Sequence, residues 1–145
     1  MKSHGNIYAY SREAMLDAHA ERLAGNDAGL VLVVYTEAPS EVAKNALDKS
    51  FAAIGYGNDV CLYANVDGLE AGNVFDLVEG IDPLGLIACD AKAAELCAQA
   101  VRQPFPPMQK MRLFGREARA FAQLNTMFDT ETDRQAVWHM LKSMA

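Results

Sequence analysis

The sequence is short of the residues that several chemistries require. Its three cysteines, Cys61, Cys89 and Cys97, are an odd number without Cys-x-x-Cys spacing. That argues against a disulfide framework or a thiolate metal centre, and two of them sit in apolar strand-like runs as buried reduced thiols do. His4, His19 and His139 follow no ligand spacing, so no metal is expected, and His139 reads as surface or helix packing. No apolar run reaches the length that spans a bilayer, and the opening MKSHGNIYAYS has no apolar stretch of the signal-peptide kind; a cytoplasmic location with no membrane partner is the expectation. Positive charge is scarce too: 13 basic residues against 19 acidic ones leave a formal charge of −6, which gives no general attraction for a phosphate backbone. There are no repeats and no low-complexity segments.

What is present suits one domain spanning residues 1–145. The chain has 145 residues and 51% hydrophobic content, enough to bury about two-thirds of its unfolded surface. Its organising stretch is GLVLVVYTEAPSEVAKNALDKSFAAIGYG, residues 29–57. Residues 30–35 form an unbroken Val-rich run of strand length, as a parallel strand covered on both faces should. After a turn through Thr36, Glu37, Ala38 and Pro39, Ser40 is placed to cap a helix whose apolar stripe is Val42, Ala43, Ala46, Leu47, Phe51 and Ile54, with Gly55 as its stop.

The remaining elements follow in alternation. Ser11 is placed to cap a first helix over residues 11–24. A second strand is predicted at 59–66, ending at Asn65, then a short helix over 71–79 stopped by Gly80, and a third strand at 84–89. Asp90 is placed to cap a helix over 91–102, which the PFPP run at 104–107 ends. Residues 109–122 alternate basic and apolar side chains around Gly115-Arg116, which predicts a strand, a tight turn and a fourth sheet strand at 118–122. Thr130 or Thr132 then caps a terminal helix with Ala136, Val137, Met140 and Leu141 inward and Trp138 on a flank. Strands alternating with helices at this spacing imply a parallel sheet with helices on both faces. In such a sheet the turn after the first strand lies at the carboxyl edge, where ligands usually bind.

Charge is unevenly spread. Residues 1–101 hold 6 basic and 15 acidic side chains, whereas residues 102–128 hold 5 basic ones and only Glu117. Lys110, Arg112, Arg116 and Arg119 therefore stand either as one solvated strand face or as a site of nucleic-acid contact.

TEAPSE at 36–41, LDKSFAAIGYGNDVCLYANV at 47–66, IDPLGLIACDAKAAELC at 81–97 and RQAVWHMLK at 134–142 together resemble the iron–sulfur branch of the uracil-DNA glycosylase superfamily, over about residues 29–145. The resemblance implies an α/β class fold, a three-layer α/β/α sandwich on a four-stranded parallel sheet of order 2-1-3-4. It implies that Glu37, matching the acidic residue of the family's Gly-Glu-x-Pro-Gly turn, acts on water or the cationic sugar. Asn65 matches the strand-end asparagine that reads a flipped base. Spacing back from Trp138 sets Gln123-Leu124-Asn125 on the family's His-Pro-Ser motif, with Gln123 in the place of the donor to the departing base and Asn125 a further candidate for base contact.

The departures from that pattern have physical consequences. Thr36 and Ser40 replace two glycines and put side chains where backbone would approach a ligand. The loop carrying an aromatic residue that stacks on the base is missing, and Phe51, on the core stripe, is no substitute. Gln123 donates a neutral hydrogen bond but cannot become cationic; losing a donor to a developing anion costs about 10²–10³ in rate. Leu124 lacks the fixed backbone angle of proline. An iron–sulfur cluster needs four thiolates, so with three scattered cysteines no cofactor is expected. The expectation is a glycosylase-like protein without efficient base excision that binds an unknown ligand or protein partner. Two alternatives stand beside it: a working N-glycosidic hydrolase using Glu37, Asn65 and Gln123, and a flavodoxin-like binding module. Each residue also has a plainer role, Glu37 and Ser40 in the turn and helix cap, Asn65 in the turn before Val66-Asp67-Gly68.

Overall fold

The computed structural model describes residues 7–145. Its α-helices are α1 (Ile7–Ala18), α2 (Glu41–Ala53), α3 (Ala71–Ile81), α4 (Ala91–Val101) and α5 (Glu131–Lys142), and its strands are β1 (Leu23–Gly25), β2 (Val31–Tyr35), β3 (Cys61–Asn65), β4 (Gly85–Ala88), β5 (Met111–Leu113) and β6 (Arg116–Ala120). The sheet runs β1-β3-β2-β4-β6-β5. Its inner strands β3, β2, β4 and β6 are parallel, while β1 and β5 pair antiparallel at the two edges. The class is α/β, as the alternation of elements predicts, but the expected four-stranded parallel sheet is corrected to a six-stranded mixed one. The physical reason lies in the edges. Each edge strand is three residues long and joins by antiparallel backbone pairing: β1 where the first helix is expected to continue, and β5 as the first arm of the hairpin expected within residues 109–122.

Alternation along the inner strands builds two cores. Val31, Val33, Cys61, Tyr63, Ile87, Cys89 and Phe121 face Ala43, Leu47 and Phe51 of α2 and Val137 and Leu141 of α5. Leu32, Val34, Leu62, Ala64, Leu86, Ala88, Ala118 and Ala120 face Val74, Leu77, Val78 and Ile81 of α3 and Ala93, Ala94 and Cys97 of α4. Met15 and Leu16 of α1 pack against this second core. With both faces covered, β2, β3 and β4 are apolar at nearly every position and read as continuous runs, whereas β6 carries Arg116, Glu117 and Arg119 and reads as an alternation.

Capping follows the sequence at three helices: Ser40 Oγ accepts from Ala43 N–H at 3.1 Å, an Asp90 carboxylate oxygen from Ala93 N–H at 2.9 Å, and Thr130 Oγ1 from Asp133 N–H at 3.1 Å. Elsewhere tertiary contact overrides the local pattern. The first helix begins before Ser11, which lies inside it, and residues 23–25 pair with β3 instead of continuing it. Gly80 does not stop α3, which runs on to Ile81 and ends with Asp82 in the left-handed region at φ 54°. A Cβ at Gly80 would collide with Met15 Cγ, so the glycine permits the close approach of α1 to α3. Val42 is 58% exposed, outside the buried stripe of α2. The turn between β5 and β6 places Phe114 at φ 54° and Gly115 at φ 74°, the pair of positive angles that a two-residue type I′ hairpin requires.

Among the described residues, no helix is long and apolar enough to cross a membrane. The inner parallel strands all end at one edge. The chain passes from β2 to β3 on one side, then crosses back to β4 on the other, so the topological switch point lies between the ends of β2 and β4.

The carboxyl half of the sheet is tied to the C-terminal helix by Arg119, which is fully buried. Its guanidinium donates to Ser143 Oγ at 2.8 Å, Ser143 O at 3.0 Å, Met111 O at 3.0 Å, Ala118 O at 2.8 Å and Glu117 Oε1 at 2.9 Å. Removing a buried charge partner leaves desolvated acceptors behind. Urea unfolding of Arg119→Ala is expected to show a loss of about 3 kcal/mol, whereas Arg112→Ala at its exposed neighbour loses under about 1 kcal/mol; equal losses would contradict the clamp.

Candidate functional site

The loops after β2, β4 and β6 meet at the carboxyl edge and are stitched together by their own side chains. Gln123 Nε2 donates to Glu37 Oε2 at 2.5 Å, across 86 residues of sequence. Gln123 Oε1 accepts from Asn125 N–H at 3.3 Å. Asn125 in turn grips the β2–α2 turn from both sides of its amide: Oδ1 accepts from Ser40 N–H at 2.8 Å and Nδ2 donates to Ala38 O at 3.0 Å. Backbone bonds hold the same junction, with Leu124 N–H donating to Cys89 O at 2.8 Å and Ala91 N–H to Ala122 O at 3.1 Å.

Asp90 closes the switch point. The side chain is 5% exposed and accepts four hydrogen bonds: from Thr36 N–H at 2.9 Å, Glu37 N–H at 3.1 Å, Thr36 Oγ1 at 2.8 Å and Ala93 N–H at 2.9 Å. Burial alone pushes its carboxyl pKa up, but the donors from Ala93, Thr36 and Glu37 outweigh it and hold the group below its ordinary value. A turn with two free N–H groups beside a helix N-terminus is a cradle for an anion. Here the anion is supplied by the chain itself. The sequence places Asp90 only as a helix cap; the signal for its wider role is an aspartate directly after a buried strand next to the reversal of strand order.

Of the residues expected to form a site, Glu37, Gln123 and Asn125 converge. Asn65 does not join them. It ends β3 opposite Tyr35, on the other side of β2 from β4, and its Oδ1 accepts from Asp67 N–H at 3.0 Å to form the plain turn. Arg22 fastens that turn by donating to Asn65 O at 3.0 Å and Asp67 O at 2.7 Å.

The basic residues do not form one solvated face, which corrects that reading of the 109–122 segment. Lys110 and Arg112 are exposed, but Arg112 is held by Glu117 at 2.8 Å. Arg116 pairs with Glu79 at 3.0 Å and Asp82 at 2.6 Å and donates to Pro83 O at 2.8 Å. Arg119 points inward. The hairpin at Phe114-Gly115 resets which side of the sheet each residue faces, so alternation in sequence does not carry across it.

The thiols are divided by the sheet. Cys61 and Cys89 face the α2 and α5 layer, and Cys97, on α4, lies in the core on the other side. All are buried and unpaired, and burial pushes the Cys61 and Cys97 thiols up to about 12. Among the described residues, no group of three or more His, Cys, Asp or Glu side chains is placed to hold a metal ion.

Compared with models of known protein families and with curated protein sequences, the chain matches none.

Because Asp90 titrates lower in the folded chain than the ordinary aspartate value of about 3.9, its contribution to stability is complete above that value and is lost as pH falls through the folded one. Asp90→Ala is expected to cost about 3 kcal/mol at pH 7, from the lost cap and the orphaned donors. In urea melts at decreasing pH the gap between wild type and variant should narrow once the pH drops below about 4. A gap that stays constant down to pH 2 would show that the charge contributes nothing.

Proposed function

We propose that this chain is a uracil-DNA glycosylase-like protein that has lost efficient base excision and acts by binding a ligand or partner. The observation that carries the reading is the self-closure of the carboxyl edge. Cleaving the bond between base and sugar requires donors aimed at the departing base and a carboxylate free to act on water or the sugar. The N–H groups of Thr36 and Glu37 are directed to Asp90, the N–H of Ser40 to Asn125, and the Glu37 carboxylate accepts from Gln123. The inner run of parallel strands β3-β2-β4-β6 supports the scaffold part of the reading. No iron–sulfur cluster or other cofactor belongs to it, and nucleic-acid contact is weak in it, since Arg112, Arg116 and Arg119 are engaged by acidic or carbonyl partners within the chain.

One observation favours a second reading. Glu37 is exposed and lies beside an amide donor, Gln123, the pairing of carboxylate and donor that an N-glycosidic hydrolase acting on a small or single-stranded substrate would use. The two readings part on one assay. Incubation with a uracil-containing single-stranded oligonucleotide is expected to release no uracil above the enzyme-free control, and Glu37→Gln to change nothing. Sustained release that Glu37→Gln abolishes would overturn the first reading in favour of the second.

A further inference from the structure

Alongside α4 lies a cleft of about 560 Å³, inside the range of pockets that hold small organic molecules. Its helical side is Ala91, Ala94 and Ala98, a single stripe at helical spacing; the facing wall is Pro104 and its neighbours in the PFPP run, together with Ala120 and Ala122 at the exit of β6. Alanines at positions where a helix face over a sheet ordinarily carries larger apolar residues leave the space open. The opposite wall is kept from collapsing into it. Prolines restrict that segment, Phe105 is 6% exposed and anchored in the core, and hydrogen bonds tie both ends: Gln103 N–H to Ala98 O at 3.1 Å, Gln103 Nε2 to Arg112 O at 2.9 Å and Met108 N–H to Ala120 O at 2.9 Å. The cleft is preformed and needs no ordering to accept a ligand.

Arg102 stands on its rim. The other arginines, at 12, 22, 112, 116, 119 and 134, each donate to a carbonyl or carboxylate of the chain. Arg102 alone among the described residues has a guanidinium with no such partner, and it sits at the left-handed C-cap of α4, φ 53°. Glu95 is the other charge on the lining, and its carboxylate accepts from Gln99 Nε2 at 3.3 Å. Seven residues of helix separate the two, about 10 Å, so an anion at Arg102 is clear of that carboxylate.

We propose that this cleft binds a small monocarboxylic acid with an apolar body, the body against the alanine stripe and the PFPP wall and the carboxylate on the Arg102 guanidinium. It goes beyond the reading of the carboxyl edge and holds whether or not Glu37 is catalytic.

Octanoate and 4-phenylbutanoate are suitable probes, with octan-1-ol as the neutral comparison, titrated into the full chain while amide shifts are followed by NMR. At least one acid is expected to bind, with shifts centred on residues 91–107 and 120–122 and an affinity about tenfold or more above that of octanol, the worth of a charge-assisted hydrogen bond. Arg102→Gln, at an exposed position, is expected to remove that preference while leaving octanol binding unchanged. Ala98→Trp, which fills the space, should abolish binding of acid and alcohol alike. Should neither acid bind at millimolar concentration, should the shifts fall elsewhere, or should Arg102→Gln leave the preference for acid intact, the proposal is overturned.

Discussion

A single buried carboxylate governs the functional edge of this fold. Asp90 sits where the strand order reverses, between the ends of β2 and β4, and receives every donor that the adjoining turn and helix offer toward it. Burying a charge is costly unless hydrogen bonds compensate it, and here four of them do. The same arrangement that stabilises the junction engages, within the chain, the N–H groups of Thr36, Glu37 and Ala93. The crevice that an open α/β sheet leaves at its switch point thus holds a side chain of the protein.

The neighbouring contacts extend this closure. Asn125 supplies both an acceptor and a donor to the β2–α2 turn, and Gln123 lies against Glu37. These three groups hold the loops after β2, β4 and β6 in mutual register. Arg119 does the corresponding work on the α5 side, joining β5, β6 and the C-terminal turn through one guanidinium. The chain thus relies on a few polar clamps between elements distant in sequence, over a core that is otherwise apolar. The cleft beside α4 is left open where that helix presents alanines and the PFPP run forms the opposite wall.

How much of this is legible in the sequence depends on whether the cause is local. The strand expected at residues 30–35 and found at Val31–Tyr35, the Ser40 and Asp90 caps, Thr130 as one of the two threonines offered to cap α5, the end of α4 before the PFPP run and the hairpin around Gly115 all rest on patterns within a few residues. β1 and the real limits of α1 do not, because residues 23–25 become a strand only by pairing with β3. Gly80 reads as a stop but serves helix packing, a distinction visible only once Met15 is beside it. Arg119 looks like a surface cation because its burial depends on Ser143, which arrives from the end of α5, and on Met111 of β5. In the candidate site, Glu37, Gln123 and Asn125 come together while Asn65 turns back on its own loop, a division that follows from strand order and from the Asx turn, neither of which residue identity alone specifies.

The central claim is that the switch point is filled by an ionised Asp90 held by donors from the turn after β2 and the first turn of α4. A ¹³C NMR titration of the Asp90 side-chain carboxyl in the folded chain tests it most directly. The account predicts a pKa below the ordinary aspartate value of about 3.9, accompanied by shifts in the Thr36, Glu37 and Ala93 amides at the same midpoint. A pKa at or above that value, or amides that do not respond, would contradict it.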